Sequence, residues 1–169
     1  MILEILKNKF ARKKKEHHNY HLVLIEAPES VVGPEIMLWG EASWWPKKCN
    51  MRFTRKTSGK LGIGTEYEQK VLPFGPRWDV RVTKLNLDRE IERTFLNGMF
   101  TGRESVSVEG RYNGTKVNYN MYYSITSLMD KLLWAFVFRR RHDQNIEMIL
   151  KALKDHVTKQ VETAKDAKE

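Results

Sequence analysis

Cysteine is nearly absent from this chain: Cys49 is the only one. A single thiol cannot form an intramolecular disulfide framework, which fits a reducing compartment. No Cys/His signature surrounds Cys49, so it reads as a small, half-buried residue and not as a nucleophile. Long hydrophobic runs are absent too, since no stretch approaches the ~20 apolar residues of a membrane span. The opening MILEILKNKFARKKK puts its apolar part before its charges and has no small-residue cleavage site. It therefore does not read as a signal peptide, and a cytoplasmic location is expected. No glycine-rich phosphate loop follows a strand, because Gly62-Ile63-Gly64 lacks the third glycine and leads into a strand. There is no G-x-S-x-G elbow and no regular alternation of strands and helices, which argues against an α/β hydrolase or a doubly wound parallel sheet. No cofactor and no metal are expected. Strand spacing would splay His17 and His18 to opposite sides, away from a shared metal with His21.

What is present suits one domain. The chain has 169 residues, with 41% hydrophobic residues to build a core and 30% charged residues to solvate its surface. The formal net charge is +9, and the first 15 residues alone contribute +5 of it. The body is close to balanced, so a nucleic-acid partner is not expected; such a surface would interleave basic and aromatic residues on the folded body. Residues 2–15 read as a basic amphipathic helix, with Ile2, Leu3, Leu6 and Phe10 near one face and six Lys/Arg around them. A leader over residues 1–19 of this kind suits contact with an anionic membrane surface, though a tail that only solubilises has the same composition.

YHLVLIEA, residues 20–27, reads as the first strand, ended by Pro28. PESVVGPEIMLWGEASWWPKK has helical composition broken by Gly33, Pro34, Gly40 and Pro46, which predicts two short helices. From residue 49 the period becomes two. Tyr67, Gln69 and Val71 share one face, as do Trp78, Val80 and Val82, while charged residues take the other. Such alternation marks an antiparallel sheet with one buried and one wet face. PFGP at 73–76 reads as a turn, and Asn97-Gly98 and Asn113-Gly114 carry the favoured hairpin signal. The last third shows a helical stripe of Leu132, Phe136, Ile146, Ile149, Leu150, Leu153, Val157 and Val161. Within it, residues 132–138 are apolar all round and precede Arg139-Arg140-Arg141. That stretch must either be buried or cover something, such as a pocket mouth or a membrane. The fold expected is α+β: a curved antiparallel sheet of six to seven strands around a long C-terminal helix.

The segment IEAPESVVGPEIMLWGEASWWPK resembles the opening of the START-like, or SRPBCC, superfamily in its polyketide cyclase/dehydrase branch. The marks are Ala27-Pro28 at the strand end, Trp39 in the following helix, and Trp44-Trp45-Pro46. Gly64-Thr65, Phe100-Thr101-Gly102, Gly114-Thr115-Lys116-Val117 and the closing Leu150-Lys151-Ala152-Leu153-Lys154 follow in the same order. The resemblance covers about residues 20–160 and implies a helix-grip domain, placed here at 20–165, around a hydrophobic cavity. It further implies binding or carriage of a lipid, sterol, quinone or polyketide-like molecule.

Pocket-lining candidates are Trp39, Trp44, Trp45 and Trp78, together with Phe95, Tyr119, Tyr123 and Trp134. Acid–base chemistry would need a buried polar group of tuned pKa, for which Glu92, Arg93, Glu104 and Tyr119 are the candidates. Arg93 shares a face with Ile91 and Phe95, and Glu92 shares the other with Thr94; which face is concave is left open. Three functions compete: a carrier of an apolar ligand, a polyketide cyclase or dehydratase using those polar groups, and a protein-interaction module with a filled core. Arg139–Arg141 joins residues 1–15 as a candidate contact with an anionic membrane.

Overall fold

The computed structural model describes residues 15–167. The amphipathic helix expected over residues 2–15 lies outside them, apart from Lys15. Seven strands form one antiparallel sheet: β1 (His17–Ile25), β2 (Met51–Arg55), β3 (Glu66–Val71), β4 (Arg77–Asn86), β5 (Glu90–Phe95), β6 (Phe100–Arg111) and β7 (Gly114–Ile125). Their order across the sheet is β1-β7-β6-β5-β4-β3-β2, so the chain closes β1 against its last strand and the remaining strands follow as a meander. The sheet curls into a half-barrel that holds a helical segment of 39 residues, the expected helix-grip arrangement. That segment runs through α2 (Leu128–Leu133), a wide π-helical turn (Trp134–Phe138) and α3 (Arg139–Asp166).

Alternation places the core on the concave face. Tyr67, Gln69 and Val71 of β3 point inward with Trp78, Val80 and Val82 of β4 and Ile91, Arg93 and Phe95 of β5. β1 takes in His17, His18 and Asn19, beginning three residues before the expected strand. Only one helix, α1 (Glu29–Met37), follows it. The second short helix expected in this region is replaced by turns over residues 38–48. Gly40 explains the difference: its φ of +94° ends the helical path, and Pro46 blocks its recovery.

The β6–β7 hairpin turns on Tyr112 and Asn113, with Arg111 opposite Gly114. It therefore falls one residue before the Asn113-Gly114 pair that signalled it. A side chain at Gly114 would overlap the Ile25 carbonyl, so the glycine serves the crossing of β1 as much as the turn. On α3 the buried stripe is His142, Asn145, Ile146, Ile149, Leu150, Leu153 and Val157. Leu132 and Phe136, assigned to that stripe from sequence, are instead exposed. Trp134 points inward in their place. The π turn, wider than an α turn, rephases the helix so that Trp134 comes into line with His142 and Ile146.

Candidate functional site

At the centre of the largely apolar concave face, polar side chains from β3, β5, β6, β7 and α3 meet in one cluster. Arg93 of β5 lies directly across the ladder from Glu104 of β6, and both are almost fully buried, at 0% and 2% exposure. The Arg93 Nη1 is 3.7 Å from Glu104 Oε1. Gln69 of β3 donates its amide to the same Oε1, and its carbonyl accepts from the Trp78 indole at 2.8 Å. Those two contacts fix which way the Gln69 amide points. Tyr119 of β7 donates to Glu104 Oε2 at 3.1 Å and lies 3.3 Å from His142 Nε2 on α3. His142 Nδ1 is 3.4 Å from Asp143, which also meets Asn19 and His21 of β1 at 3.1 and 3.4 Å. A connected path of polar groups thus runs from the centre of the domain to its β1–α3 seam.

A buried carboxylate among aromatics would be costly unless paired and hydrogen-bonded. Glu104 meets that requirement through Arg93, Gln69 and Tyr119. Burial, reinforced by the adjacent Glu104 charge, pushes the Tyr119 hydroxyl well above the usual phenol range, so it stays a donor. Partial burial alone would raise the Asp143 carboxyl. Hydrogen bonds and charge from His142 and His21 outweigh it and hold Asp143 below its ordinary value. Burial raises the Cys49 thiol, which rests 3.6 Å from Asn145 Oδ1 and is poorly disposed to act as a nucleophile.

Three donors in this centre make no hydrogen bond: Arg93 Nε, the Trp39 indole N–H, and Arg93 Nη1, which faces Glu104 at ion-pair distance only. The guanidinium gives its other end to the Trp39 carbonyl at 3.1 Å and lies over the rings of Tyr67 and Phe53, at 5.2 and 5.7 Å. Trp39 stacks beside Tyr119 at 6.0 Å.

Of the aromatic candidates, Trp39, Trp78, Phe95, Tyr119, Tyr123 and Trp134 are all brought into the interior. Phe100 is their hub: its ring meets Trp134 at 4.7 Å, Trp78 at 5.2 Å and Tyr123 at 5.5 Å, each edge to face. Trp134 also donates its indole N–H to the Tyr123 hydroxyl at 2.8 Å. These rings touch one another, and a hollow of about 830 Å³ beside the β6–β7 turn opens to solvent. Trp44 and Trp45 stay half-buried at the rim, with Trp44 donating to Glu35 and Trp45 to the Met51 carbonyl. Arg93, Glu104 and Tyr119 come together as one cluster.

Glu92 does not join them. It lies on the outer face with Thr83 and Arg103, as strand alternation requires of Arg93's neighbour. Gln69 and His142 belong to the cluster and were not singled out from sequence, although each carried a signal. Gln69 breaks an otherwise apolar face between Tyr67 and Val71, and His142 precedes Ile146 by one helical turn. His17 and His18 stack on Tyr123 and Tyr122, which alternate across β7.

No family model matches the chain, and no curated protein matches it in sequence. Among solved structures it is similar to a norcoclaurine synthase from Thalictrum in complex with a transition-state analogue. The TM-score is 0.63 at 11% identity, over 85% of this chain and 98% of the other. An aromatase/cyclase, Zhui, from a Streptomyces species matches with a TM-score of 0.63 at 14% identity, over 87% and 96%. Ara h 8.0201 matches with a TM-score of 0.62 at 14% identity, over 86% and 99%. Identities this low are informative about fold alone.

Proposed function

We propose that this chain, which has the START-like (SRPBCC) superfamily fold, binds a hydrophobic small molecule between its concave sheet and its long helix. The observation that carries the reading is the set of buried donors that make no hydrogen bond, Arg93 Nε and the Trp39 N–H, with Arg93 Nη1 held only at ion-pair distance from Glu104, set among aromatic rings. Leaving such a donor unsatisfied costs about 1–3 kcal/mol, and a ligand oxygen would relieve it. The surrounding rings would cover an apolar body at roughly 25 cal/mol per Å². The guest is thus amphipathic: a lipid, sterol, quinone or polyketide-like molecule with at least one acceptor oxygen. Because Phe100, Trp134 and Tyr123 now pack on each other, its admission requires those rings to part. The structural likeness to a norcoclaurine synthase in complex with a transition-state analogue supports a small-molecule site on this architecture.

Native mass spectrometry with solvent extraction of the purified protein tests this directly. An extracted apolar compound, or saturable uptake of an apolar fluorophore, is the expected result. Arg93→Met should weaken capture of oxygen-bearing ligands more than of pure hydrocarbons. Absence of any guest together with no fluorophore uptake would leave the protein-interaction module with a filled core as the better account.

A second reading is favoured by the run Glu104–Tyr119–His142–Asp143, whose contacts span 3.1 to 3.4 Å. Such a chain is able to relay a proton to a bound substrate, as a cyclase or dehydratase would need. In that case Glu104→Gln or Tyr119→Phe abolishes turnover while ligand uptake persists; unchanged turnover removes the enzyme reading for these residues.

A further inference from the structure

The start of the long helical segment carries a second feature, away from the interior. Leu128, Met129, Leu132, Leu133, Phe136 and Val137 are all exposed, from 38% at Leu133 to 83% at Phe136. They fall into two rows at four-residue spacing. One runs Leu128, Leu132, Phe136 and continues to Arg140; the other runs Met129, Leu133, Val137 and continues to Arg141. Residues four apart lie on the same side of a helix, so each apolar row ends in an arginine. Arg139, Arg140 and Arg141 are exposed, and among the described residues none of them makes an ion pair; the nearest acids of α3, Asp143 and Glu147, face His21 and His142 instead, and the other pairs lie further along, at Lys151–Asp155 and His156–Glu35. Asp130 is the one acid within the patch, and its backbone N–H is occupied with the Ser127 cap.

An apolar face this continuous does not stand open to water without a partner for part of its working life. The charge decides between partners. Three adjacent exposed arginines, none of them ion-paired among the described residues, suit a surface of many phosphates, whereas the centre of a protein–protein interface tends to exclude charge. We propose that residues 128–141 dock flat on an anionic lipid bilayer. Leu128, Leu132 and Phe136, with Met129 and Leu133 beside them, sink to the headgroup–acyl boundary, and Arg140 and Arg141 reach phosphate oxygens. Among the described residues no helix is long and apolar enough to cross the membrane, so this contact is peripheral. It stands whether or not the interior accepts a guest.

Co-sedimentation of the full chain with vesicles tests it. Vesicles of equal parts phosphatidylcholine and phosphatidylglycerol should bind the protein, and phosphatidylcholine alone should bind it weakly. The double variant Leu132→Gln/Phe136→Gln and the double variant Arg140→Gln/Arg141→Gln should each lose about tenfold or more in affinity. Raised salt should mimic only the second. Because all four side chains are exposed, thermal melting should hold in both variants, which separates lost docking from lost folding. A fluorophore on Phe136→Cys, with Cys49 shielded by burial, should be quenched by bromolipids on vesicle binding. Full affinity in both double variants overturns the proposal and points to residues 1–15. So does a full chain that ignores both vesicle types. Conversion of a dimer to a monomer by Leu132→Gln/Phe136→Gln, with vesicle binding intact, overturns it in favour of a second copy of this chain.

Discussion

The two halves of the long helical segment are both rich in large aliphatic side chains and use them in opposite ways. Along α3 they form one stripe, and Ile146, Ile149, Leu153 and Val157 are sealed against the sheet. Across α2 and the π turn they face outward, and Trp134 alone is fully buried. Composition does not explain the contrast, since residues 132–138 are the more apolar of the two. Position does. β7 ends at Ile125 and α2 begins three residues later, past the end of the strand, so the first turns have little sheet beneath them. Burial is a property of what lies opposite a side chain, and hydrophobicity only sets how much is gained when something does.

The largest effect that would sharpen this contrast sits two residues apart on one turn. Trp134 is 4% exposed, packs on Phe100 and donates to Tyr123, while Phe136 is 83% exposed. Trp134→Ala should cost about 3–5 kcal/mol of stability in chemical denaturation. Phe136→Ala should stay within about 0.5 kcal/mol. Equal losses would mean that the outer face is covered in solution and that the two halves are alike after all.

Leucines offer the next comparison. Leu153 is fully buried on α3, and its replacement by alanine should cost about 2–4 kcal/mol. Leu132→Ala should lower stability by only a few tenths, mostly without a change in denaturant slope. The sheet provides a polar counterpart in adjacent strands. Glu104→Gln removes a charge that Arg93 faces in the interior, and it should cost about 2–4 kcal/mol, since an unpaired buried guanidinium remains. Glu92→Gln, on the outer face against Arg103, should cost less than about 1 kcal/mol. Melting curves of the four variants decide both pairs.

How far the sequence foretold this follows from the same contrast. Strand alternation is a local property, so the inward faces of β3 and β4 could be read directly from Tyr67, Gln69, Val71, Trp78, Val80 and Val82. Ile146 to Val157 gave α3 for the same reason. The polar centre was harder to see. Glu104 draws its partners from Gln69, Arg93 and Tyr119 on three other strands, and His142 reaches Tyr119 from the helix. Only the ladder registers bring them together. Arg93 and Glu104 were named as candidates without a way to know that they face each other; their direct cross-strand pairing supplies it. The exposure of residues 128–137 was the least legible feature. An apolar run reads as core unless one knows where the sheet stops, and the π turn shifts the helical phase that would otherwise extrapolate from α3 back to Leu132.

The smallest effect concerns the seam that holds α3, but not α2, to β1. Asp143 ties His142 to Asn19 and His21 across that seam. Partial burial works against its ionisation, but the two histidines prevail and its folded-state pKa lies below the ordinary value. A carboxyl depressed in this way adds stability above its unfolded-state value of ~3.9, and that stability drains away as pH falls through the lower, folded-state value. Asp143→Asn should therefore lose less than about 1 kcal/mol at pH above ~4, discounted because the side chain is part-exposed, and the difference from wild type should close in stronger acid. A stability gap that widens on acidification would assign the seam to packing and not to charge. An unchanged acid limb would show that α3 is held by its apolar stripe alone, which would leave the missing sheet beneath α2 as the whole difference between the two halves.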